Sequence, residues 1–229
     1  MEIKSMQEAA VRKSVLYRPA DTDEVLEQIK LIPRQATNFP FIEITSETTL
    51  AAAKWLVVDR QVAQTLCLNF ASAKNPGGGF QNGSQAQEES LERASGLYPC
   101  IAQMEEMYQY NRSRNTCLYS DYMIYSPKVP LFRDDHDRLL EDPYLVSFVT
   151  SPAVNAGVVR ERESEKIRLI DRVKCDRIAK IISIAAAYQY RALTIGYGLD
   201  RLQWGKVRAI IQEVLGDTEI EVVVCIPPP

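Results

Sequence analysis

Stretches of apolar residues alternate with helix-type patterns from residue 40 onward. Six stretches predict strands by their length and their β-branched and aromatic content, at 41–45, 65–70, 121–125, 144–150, 192–195 and 219–226. The stretch at 65–70 is apolar without alternation, which is typical of a strand buried on both faces. The residues between 125 and 144 contain prolines and a charged run, and they predict a turn-rich connection.

Helical patterns lie between these strands. Ser46 is the expected N-cap of a helix over 48–58, and two further helices are predicted over 85–97 and 161–189. The helix over 161–189 has an apolar face that consists of Ile167, Ile170, Ile178, Ile181 and Ile182. A last helix has apolar residues at the i, i+3, i+4, i+7 and i+8 positions: Val207, Ile210, Ile211, Val214 and Leu215.

The alternation of strands and helices predicts an α/β fold, with helices on both faces of a mixed, mostly parallel sheet. Residues 1–35 are polar and helix-prone, so they predict an N-terminal helical extension before a domain over 36–229. Ligands of such sheets bind beyond the carboxyl ends of the strands. Two glycine-rich stretches follow the strands at 65–70 and 192–195, and they predict a ligand site at one edge of the sheet.

The amino-acid composition argues against several classes of binding partner. The net charge of −3 over 229 residues argues against a generic nucleic-acid surface, because such surfaces depend on clustered Lys and Arg. We expect neither a signal peptide nor a membrane span. The five cysteines are scattered and there is one histidine, so we expect reduced thiols, a cytoplasmic location and no metal. The acidic run at 134–137 is expected to be a solvated loop.

The stretch after strand 65–70 begins with three consecutive glycines. Without a Cβ atom, Gly77, Gly78 and Gly79 can adopt a positive φ and bring backbone N–H groups close to a ligand. The alternative is a flexible turn with no binding role. Three glycines in a row cost conformational entropy on folding, so we favour a binding loop.

Two adjacent carboxylates follow this loop in the first turn of a predicted helix. Successive helix residues point about 100° apart, so at most one of Glu88 and Glu89 is expected to face the cleft squarely. A carboxyl group in a partly apolar cleft can have its pKa raised enough to donate a proton. Gln87 can orient a sugar hydroxyl or a neighbouring carboxylate. The alternative for the pair is a solvated helix face.

The second glycine-rich stretch contains Gly196, Gly198, Asp200 and Gly205 and leads into the last helix. A glycine-rich loop that enters a helix N-terminus can bind an anion. The spacing matches neither a P-loop nor a dinucleotide-binding fingerprint. Asp200 also suits the role of a helix N-cap.

The motif NFASAKNPGGG…QAQEES (69–90) resembles the signature of bacterial-type poly(ADP-ribose) glycohydrolases of the macrodomain superfamily. The segments GLYPC (96–100), LYSDYMIYSP (118–127) and PYLVSFVTSPAVNAG (143–157) also resemble that family, and the similarity covers about residues 15–195. The resemblance therefore implies a three-layer α/β/α macrodomain.

The segment IGYGLDRLQWGKVRAIIQEVL (195–215) departs from that family's pattern. It is similar instead to the terminal ADP-ribose protein glycohydrolases, whose catalytic loop aspartate maps onto Asp200. Ser151 stands at about the place of the catalytic lysine of that second group, so a lysyl-sugar intermediate is not implied.

The resemblance implies an ADP-ribosyl hydrolase that cleaves the bond at C1″ of ADP-ribose. Glu89 is the implied general acid, Glu88 would bind a ribose hydroxyl or tune Glu89, and Asp200 would position water or stabilise positive charge on the sugar. No cofactor is implied, the partner is ADP-ribose or an ADP-ribosylated macromolecule, and we expect a monomer. The implied binding residues are Asn75, Gly77, Gly78, Gly79, Gln87, Gly196, Gly198 and Leu199.

Two other functions fit the same residues. One is a module that binds or sequesters ADP-ribose or a related nucleotide without cutting it, and the other is a partner-binding domain that uses the N-terminal helices. For a hydrolase, the acceptor is open: poly(ADP-ribose), an acidic side chain, a nucleobase or an acyl group. We expect five tyrosines to pack in the core and at sheet edges, with one available to face adenine: 108, 110, 119, 122 and 125.

Overall fold

The computed structural model describes residues 2–32, 41–196, 204–216 and 219–226. Within these residues, seven strands form one sheet: β1 (Val15–Tyr17), β2 (Ile42–Thr45), β3 (Thr65–Ala71), β4 (Met123–Arg133), β5 (Leu139–Pro152), β6 (Ala192–Gly196) and β7 (Glu221–Cys225). Their order is β1-β4-β5-β3-β6-β7-β2. The β1–β4 and β4–β5 pairs are antiparallel and the other pairs are parallel, which confirms a mixed, mostly parallel sheet.

Helices cover both faces of the sheet. They are α1 (Ile3–Lys13), α2 (Pro19–Lys30), α3 (Thr49–Lys54), α4 (Gln87–Ala94), α5 (Leu97–Ala102), α6 (Glu105–Ser113), α7 (Ala156–Arg162), α8 (Ile170–Ala187) and α9 (Trp204–Leu215). Helices α2, α8 and α9 share one buried cluster with the sheet. Helices α1, α3, α4, α5 and α6 pack on the other face. The predicted three layers are thereby confirmed.

Strand β3 lies at the centre of the sheet and is buried on both faces. Leu66 and Leu68 point into the cluster of α2, α8 and α9, and Cys67 points into the opposite cluster. Side chains of a strand alternate between the two faces, so a strand covered on both sides is apolar throughout. This confirms the prediction for 65–70, and it fixes the strand from which the first glycine-rich stretch departs.

The N-terminal residues contribute to the same sheet and core. Strand β1 pairs with β4 in the register Leu16 to Ile124, and Leu26 and Ile29 of α2 pack in the cluster with α8. The sequence predicted helices here but not the strand, because three residues at a sheet edge show no periodicity. The domain boundary at residue 35 lies outside the described residues and stays a prediction.

The connection predicted between 125 and 144 is mostly β-hairpin. Strands β4 and β5 continue their pairing as far as Arg133 and Leu139. The register shifts between Ser126 and Val129, and this β-bulge accommodates Pro127, which has no N–H to donate to the ladder. The turn-rich prediction was therefore wrong over most of this segment.

The acidic run at 134–137 forms the tip of this hairpin. The Asp134 carboxylate accepts hydrogen bonds from the backbone N–H groups of His136, at 2.9 Å, and Arg138, at 3.0 Å. It also accepts one from the Arg138 guanidinium. The carboxylate of Asp134 therefore stabilises a tight turn, and among the described residues no group of His, Cys, Asp and Glu is arranged to hold a metal ion.

Two predicted helices differ in detail. Thr48, not Ser46, caps α3, because its hydroxyl accepts a hydrogen bond from the Ala51 N–H at 3.0 Å. The segment predicted as one helix over 161–189 contains the end of α7, a 3₁₀ segment over Ser164–Leu169 and α8. Ile167 was placed on the apolar face, but its side chain is 44% exposed because it lies in the 3₁₀ segment.

All five cysteines are free. Their side chains are buried or partly buried, in agreement with reduced thiols that pack as small apolar groups. Within the described residues, no helix has both the length and the apolar composition needed to cross a membrane.

Leu26→Ala tests whether the N-terminal residues stabilise the whole domain. Leu26 is 9% exposed, so truncation leaves a cavity in the shared core. We expect the free energy of unfolding to fall by about 2–5 kcal/mol in urea denaturation. The control is Leu31→Ala, because Leu31 is 81% exposed and its loss should cost less than about 0.5 kcal/mol. Equal and small effects would show that the N-terminal helices are a separate extension.

Candidate active site

A cavity of about 520 Å³ lies beyond the carboxyl ends of β3 and β5. Glu88 and Glu89 line one side of it, and Asn75, Tyr119 and Asn155 line other parts of its wall. Strand β6 lies directly beside β3 in parallel orientation. The strand ends from which both glycine-rich stretches depart are therefore at the same sheet edge, as the sequence predicted.

The side chain of Gln87 joins the start of α4 to the end of β3. Its Oε1 accepts a hydrogen bond from the Phe70 N–H at 3.0 Å, and its Nε2 donates to the Leu68 carbonyl at 3.0 Å and to the Thr49 hydroxyl at 2.8 Å. The oxygen and the nitrogen of the Gln87 amide are thus both hydrogen-bonded within the protein. Gln87 positions α4, and it is not placed to orient a sugar hydroxyl.

The Glu88 carboxylate bridges two segments of irregular backbone. It accepts hydrogen bonds from the Ser72 N–H at 2.7 Å and the Gly77 N–H at 3.1 Å. Burial raises the pKa of Glu88 to about 8, and the charge of Glu89 adds to this effect, while the two N–H groups oppose it. Glu88 therefore holds its proton to a higher pH than an ordinary carboxyl does.

Glu89 is fixed by one of its oxygens. Its Oε1 accepts a hydrogen bond from the Gly79 N–H at 3.0 Å. Among the described residues, no hydrogen bond involves the other oxygen, and the side chain lines the cavity. Both glutamates therefore line the cavity, and only Glu89 has an oxygen without a hydrogen-bond partner among the described residues.

Two glycines leave room for these side chains. Gly78 has a φ of +56°, and a Cβ atom there would overlap with the Glu89 carboxylate. A Cβ atom on Gly196, at the end of β6, would overlap with the Gln87 amide. Any larger residue at either position must displace a side chain of α4.

A third carboxyl group lies one helical turn after Glu88. Glu92 is 4% exposed, and neither of its oxygens has a hydrogen-bond partner among the described residues. Burial raises its pKa well above the ordinary value, and the charges of Glu88 and Glu89 raise it further. The hydroxyl of Tyr108 is also buried without a partner in this part of the chain, and burial followed by the charges of Glu88 and Glu92 raises its pKa.

The structure brings together only some of the predicted site residues. Asn75, Glu88 and Glu89 line the cavity. The N–H groups of Gly77 and Gly79 face the glutamates, and the Gly78 N–H donates to the Asn75 carbonyl, so the triplet does not offer its N–H groups to a ligand as expected. Three predicted residues lie outside the described part of the chain: Gly198, Leu199 and Asp200.

Sequence reasoning missed several contributors to the site. Ser72 donates its N–H to Glu88, and Thr49 accepts from Gln87, but neither stands out in the sequence. Tyr119 was assigned to packing with four other tyrosines, and the structure places it in the cavity wall. Its φ of +58° distinguishes it from the others, and that value is a tertiary property.

Comparison with known families confirms the resemblance seen in the sequence. The family model of the microbial-type PARG catalytic domain, where PARG denotes poly(ADP-ribose) glycohydrolase, matches residues 1–134. No curated protein sequence matches the chain. The similarity of 195–215 to terminal ADP-ribose protein glycohydrolases is not covered by this match and stays a prediction.

Solved structures of two bacterial proteins are similar over nearly the whole chain. Poly(ADP-ribose) glycohydrolase from Thermomonospora curvata bound to the inhibitor ADP-HPD is 39% identical, with a TM-score of 0.81 over 97% of this chain and 82% of that chain. Poly(ADP-ribose) glycohydrolase from Deinococcus radiodurans in complex with ADP-ribose is 36% identical, with a TM-score of 0.83 over 96% of this chain and 89% of that chain.

Glu92→Gln tests whether the buried carboxyl of Glu92, one helical turn after Glu88, lowers the free energy of unfolding as the pH rises. A carboxyl with a raised folded-state pKa stabilises the fold fully below its unfolded pKa of about 4.5, and this contribution is lost as the pH rises. The loss is about 1.4 kcal/mol per pH unit while only the folded state keeps the proton. We therefore expect the variant to melt with the wild type near pH 4.5 and several degrees higher at pH 7.

The matched control is Glu8→Gln, because Glu8 is exposed. Its melting temperature should follow the wild type at every pH. A Glu92→Gln curve parallel to the wild type would show that Glu92 is ionised in the folded protein.

Proposed function

Since this chain belongs to the family of microbial-type poly(ADP-ribose) glycohydrolases, we propose that it hydrolyses the bond between C1″ of ADP-ribose and an acceptor oxygen. The observation that carries the proposal is the Glu88–Glu89 pair, which is held at the cavity wall by backbone N–H groups. A solvated helix face would not bury both carboxylates. A preorganised pair of carboxyl groups is the usual equipment of glycoside hydrolysis.

Glu89 is the proposed general acid. Its Oε2 would protonate the leaving oxygen as the C1″–O bond breaks and positive charge develops on the ribose ring. A water molecule would then attack C1″ and return its proton to the Glu89 carboxylate. The products are ADP-ribose with a C1″ hydroxyl and the free acceptor hydroxyl, so the acid is regenerated.

Glu88 determines the protonation and the charge of the glutamate pair. Its raised pKa of about 8 means that the pair holds a proton to a higher pH than an ordinary carboxyl would. That proton would pass to Glu89 Oε2 for delivery to the leaving oxygen, and the negative charge left on Glu88 would stabilise the positive charge that develops on the ribose. Two ionised glutamates would lack the proton, and two neutral ones would lack the charge.

The remaining assignments rest on the resemblance of the chain to its family. Asn75 would contact the ribose from the cavity wall. Asp200 would assist by positioning water, and Gly196, Gly198 and Leu199 would contact the diphosphate. We propose a cytoplasmic monomer that acts on ADP-ribosylated macromolecules without a metal or redox cofactor.

Glu89→Gln is the direct test of the general acid. We expect turnover of poly(ADP-ribose) to fall by about 100- to 10,000-fold, because the amide cannot donate a proton to the leaving oxygen. ADP-ribose should still bind in calorimetry. Glu8→Gln is the control and should turn over like the wild type, because Glu8 is exposed and does not line the cavity. Binding of ADP-ribose without any turnover in the wild type would instead identify a module that reads or sequesters the nucleotide.

The charge balance of the pair predicts a pH dependence. As the pH rises through about 8, the pair loses its proton and kcat should fall. Glu88→Gln keeps the size of the side chain and removes its ionisation, so the alkaline limb centred near pH 8 should disappear from the normalised profile of the variant. An unchanged limb would assign it to a group other than Glu88.

A further inference from the structure

The order of the strands in the sheet indicates on which side of the ADP-ribose unit the leaving group lies. This step rests on the proposed function, in which the diphosphate lies at the end of β6 and the scissile ribose lies at Glu88 and Glu89, beyond β3. In the ribose ring, C1″ lies on the side away from C5″, which carries the diphosphate. Strand β5 pairs with the edge of β3 that faces away from β6. The leaving group therefore extends over the end of β5.

The cavity continues in that direction, and Tyr119 forms part of its wall there. The backbone of Tyr119 has a φ of +58°, which costs energy for a residue with a large side chain. Strained residues persist where the surrounding structure holds them, and they concentrate at functional sites. Burial, and then a hydrogen bond with the Cys117 side chain, raise the pKa of Tyr119 to about 12, so its ring stays neutral.

The segment around Tyr119 is held against the end of β5 on one side. The Arg177 guanidinium is buried, and it donates to the Pro152 carbonyl at 2.7 Å and to the Leu118 carbonyl at 3.1 Å. The Asn155 N–H donates to the Cys117 carbonyl at 3.0 Å. These bonds connect the residues before Tyr119 directly to the residues at and after the end of β5.

Two further side chains hold the same segment from outside. The Glu163 carboxylate accepts hydrogen bonds from the Thr116 hydroxyl and the Cys117 N–H, both at 2.6 Å. The Asn111 side chain accepts one from the Ser120 N–H at 2.9 Å. Residues on both sides of Tyr119 are thus fixed, and the backbone that carries its ring is held in place before a ligand arrives.

We propose that Tyr119 forms a subsite for the leaving group, in which its ring packs against the adenosine of the neighbouring unit of poly(ADP-ribose). The scissile oxygen of the polymer belongs to the ribose of that adenosine, so a base lies within a few bonds of it. An aromatic ring that is fixed before binding offers a stacking surface at little entropic cost. Val154 adds an apolar contact in the same wall.

The test distinguishes a contact of Tyr119 with the leaving group from a contact with the ADP-ribose unit. Tyr119→Asn removes the ring, and asparagine tolerates a positive φ. We expect kcat/KM for poly(ADP-ribose) to fall by about 5- to 150-fold, the range of one base–aromatic stack. The Kd for free ADP-ribose, which lacks the leaving group, should change by less than about 2-fold. Tyr119→Phe keeps the ring and should behave like the wild type.

Tyr110→Asn is the matched control, because Tyr110 is a half-buried tyrosine that does not line the cavity. Tyr119→Gly repeats the measurement without backbone strain, should Tyr119→Asn melt early. Equal losses of cleavage and of ADP-ribose binding would overturn the proposal, since Tyr119 would then contact the ADP-ribose unit. Unchanged cleavage in Tyr119→Asn would also overturn it, and leave the Glu89 assignment standing. A wild type that neither cleaves nor binds would overturn both.

Discussion

The site depends on the side chain of Gln87, which fills a gap between the neighbouring strands β3 and β6. Strands β3 and β6 pair only as far as Cys67 and Thr194, and beyond that point the Leu68 carbonyl and the Phe70 N–H bond to the Gln87 amide. A primary amide suits this place because it donates and accepts at once, as a peptide group of a partner strand would. Gly196 provides the space. The sheet therefore opens at the ligand end while the Leu68 carbonyl and the Phe70 N–H keep a hydrogen-bond partner.

This contact also positions the residues that come next along the chain. Since Gln87 is the first residue of α4, the two glutamates after it are held beside the loop that leaves β3. That loop contains a short 3₁₀ helix over Phe80–Asn82, and its N–H groups at Ser72, Gly77 and Gly79 take carboxylates as acceptors. The groups proposed for catalysis thus also set the shape of the loop. Replacing either glutamate by a side chain of a different size would therefore change both the chemistry and the geometry of the cavity.

Sequence patterns predict those parts of the structure that depend on residues close together in the chain. The buried strand at 65–70, the last helix and the glycine-rich stretches at one sheet edge follow from periodicity and glycine content. Strand β1 could not be predicted because three edge residues carry no period. The hairpin was mistaken for a loop because Pro127 resembles a turn signal, whereas a β-bulge accommodates it. The position of Tyr119 and the burial of Glu92 depend on distant residues, which no local pattern encodes.

The three carboxyls of α4 differ mainly in how many N–H groups each accepts. Glu88 accepts two, Glu89 accepts one and Glu92 accepts none among the described residues. Burial raises the pKa of a carboxyl and N–H donors lower it, so Glu92 has the least reason to ionise. Glu88 has both oxygens engaged, which leaves it poorly placed to reach a substrate. Of the three, only Glu89 combines a fixed orientation with an oxygen that has no hydrogen-bond partner among the described residues, and this geometry supports the proposal that Glu89 is the general acid.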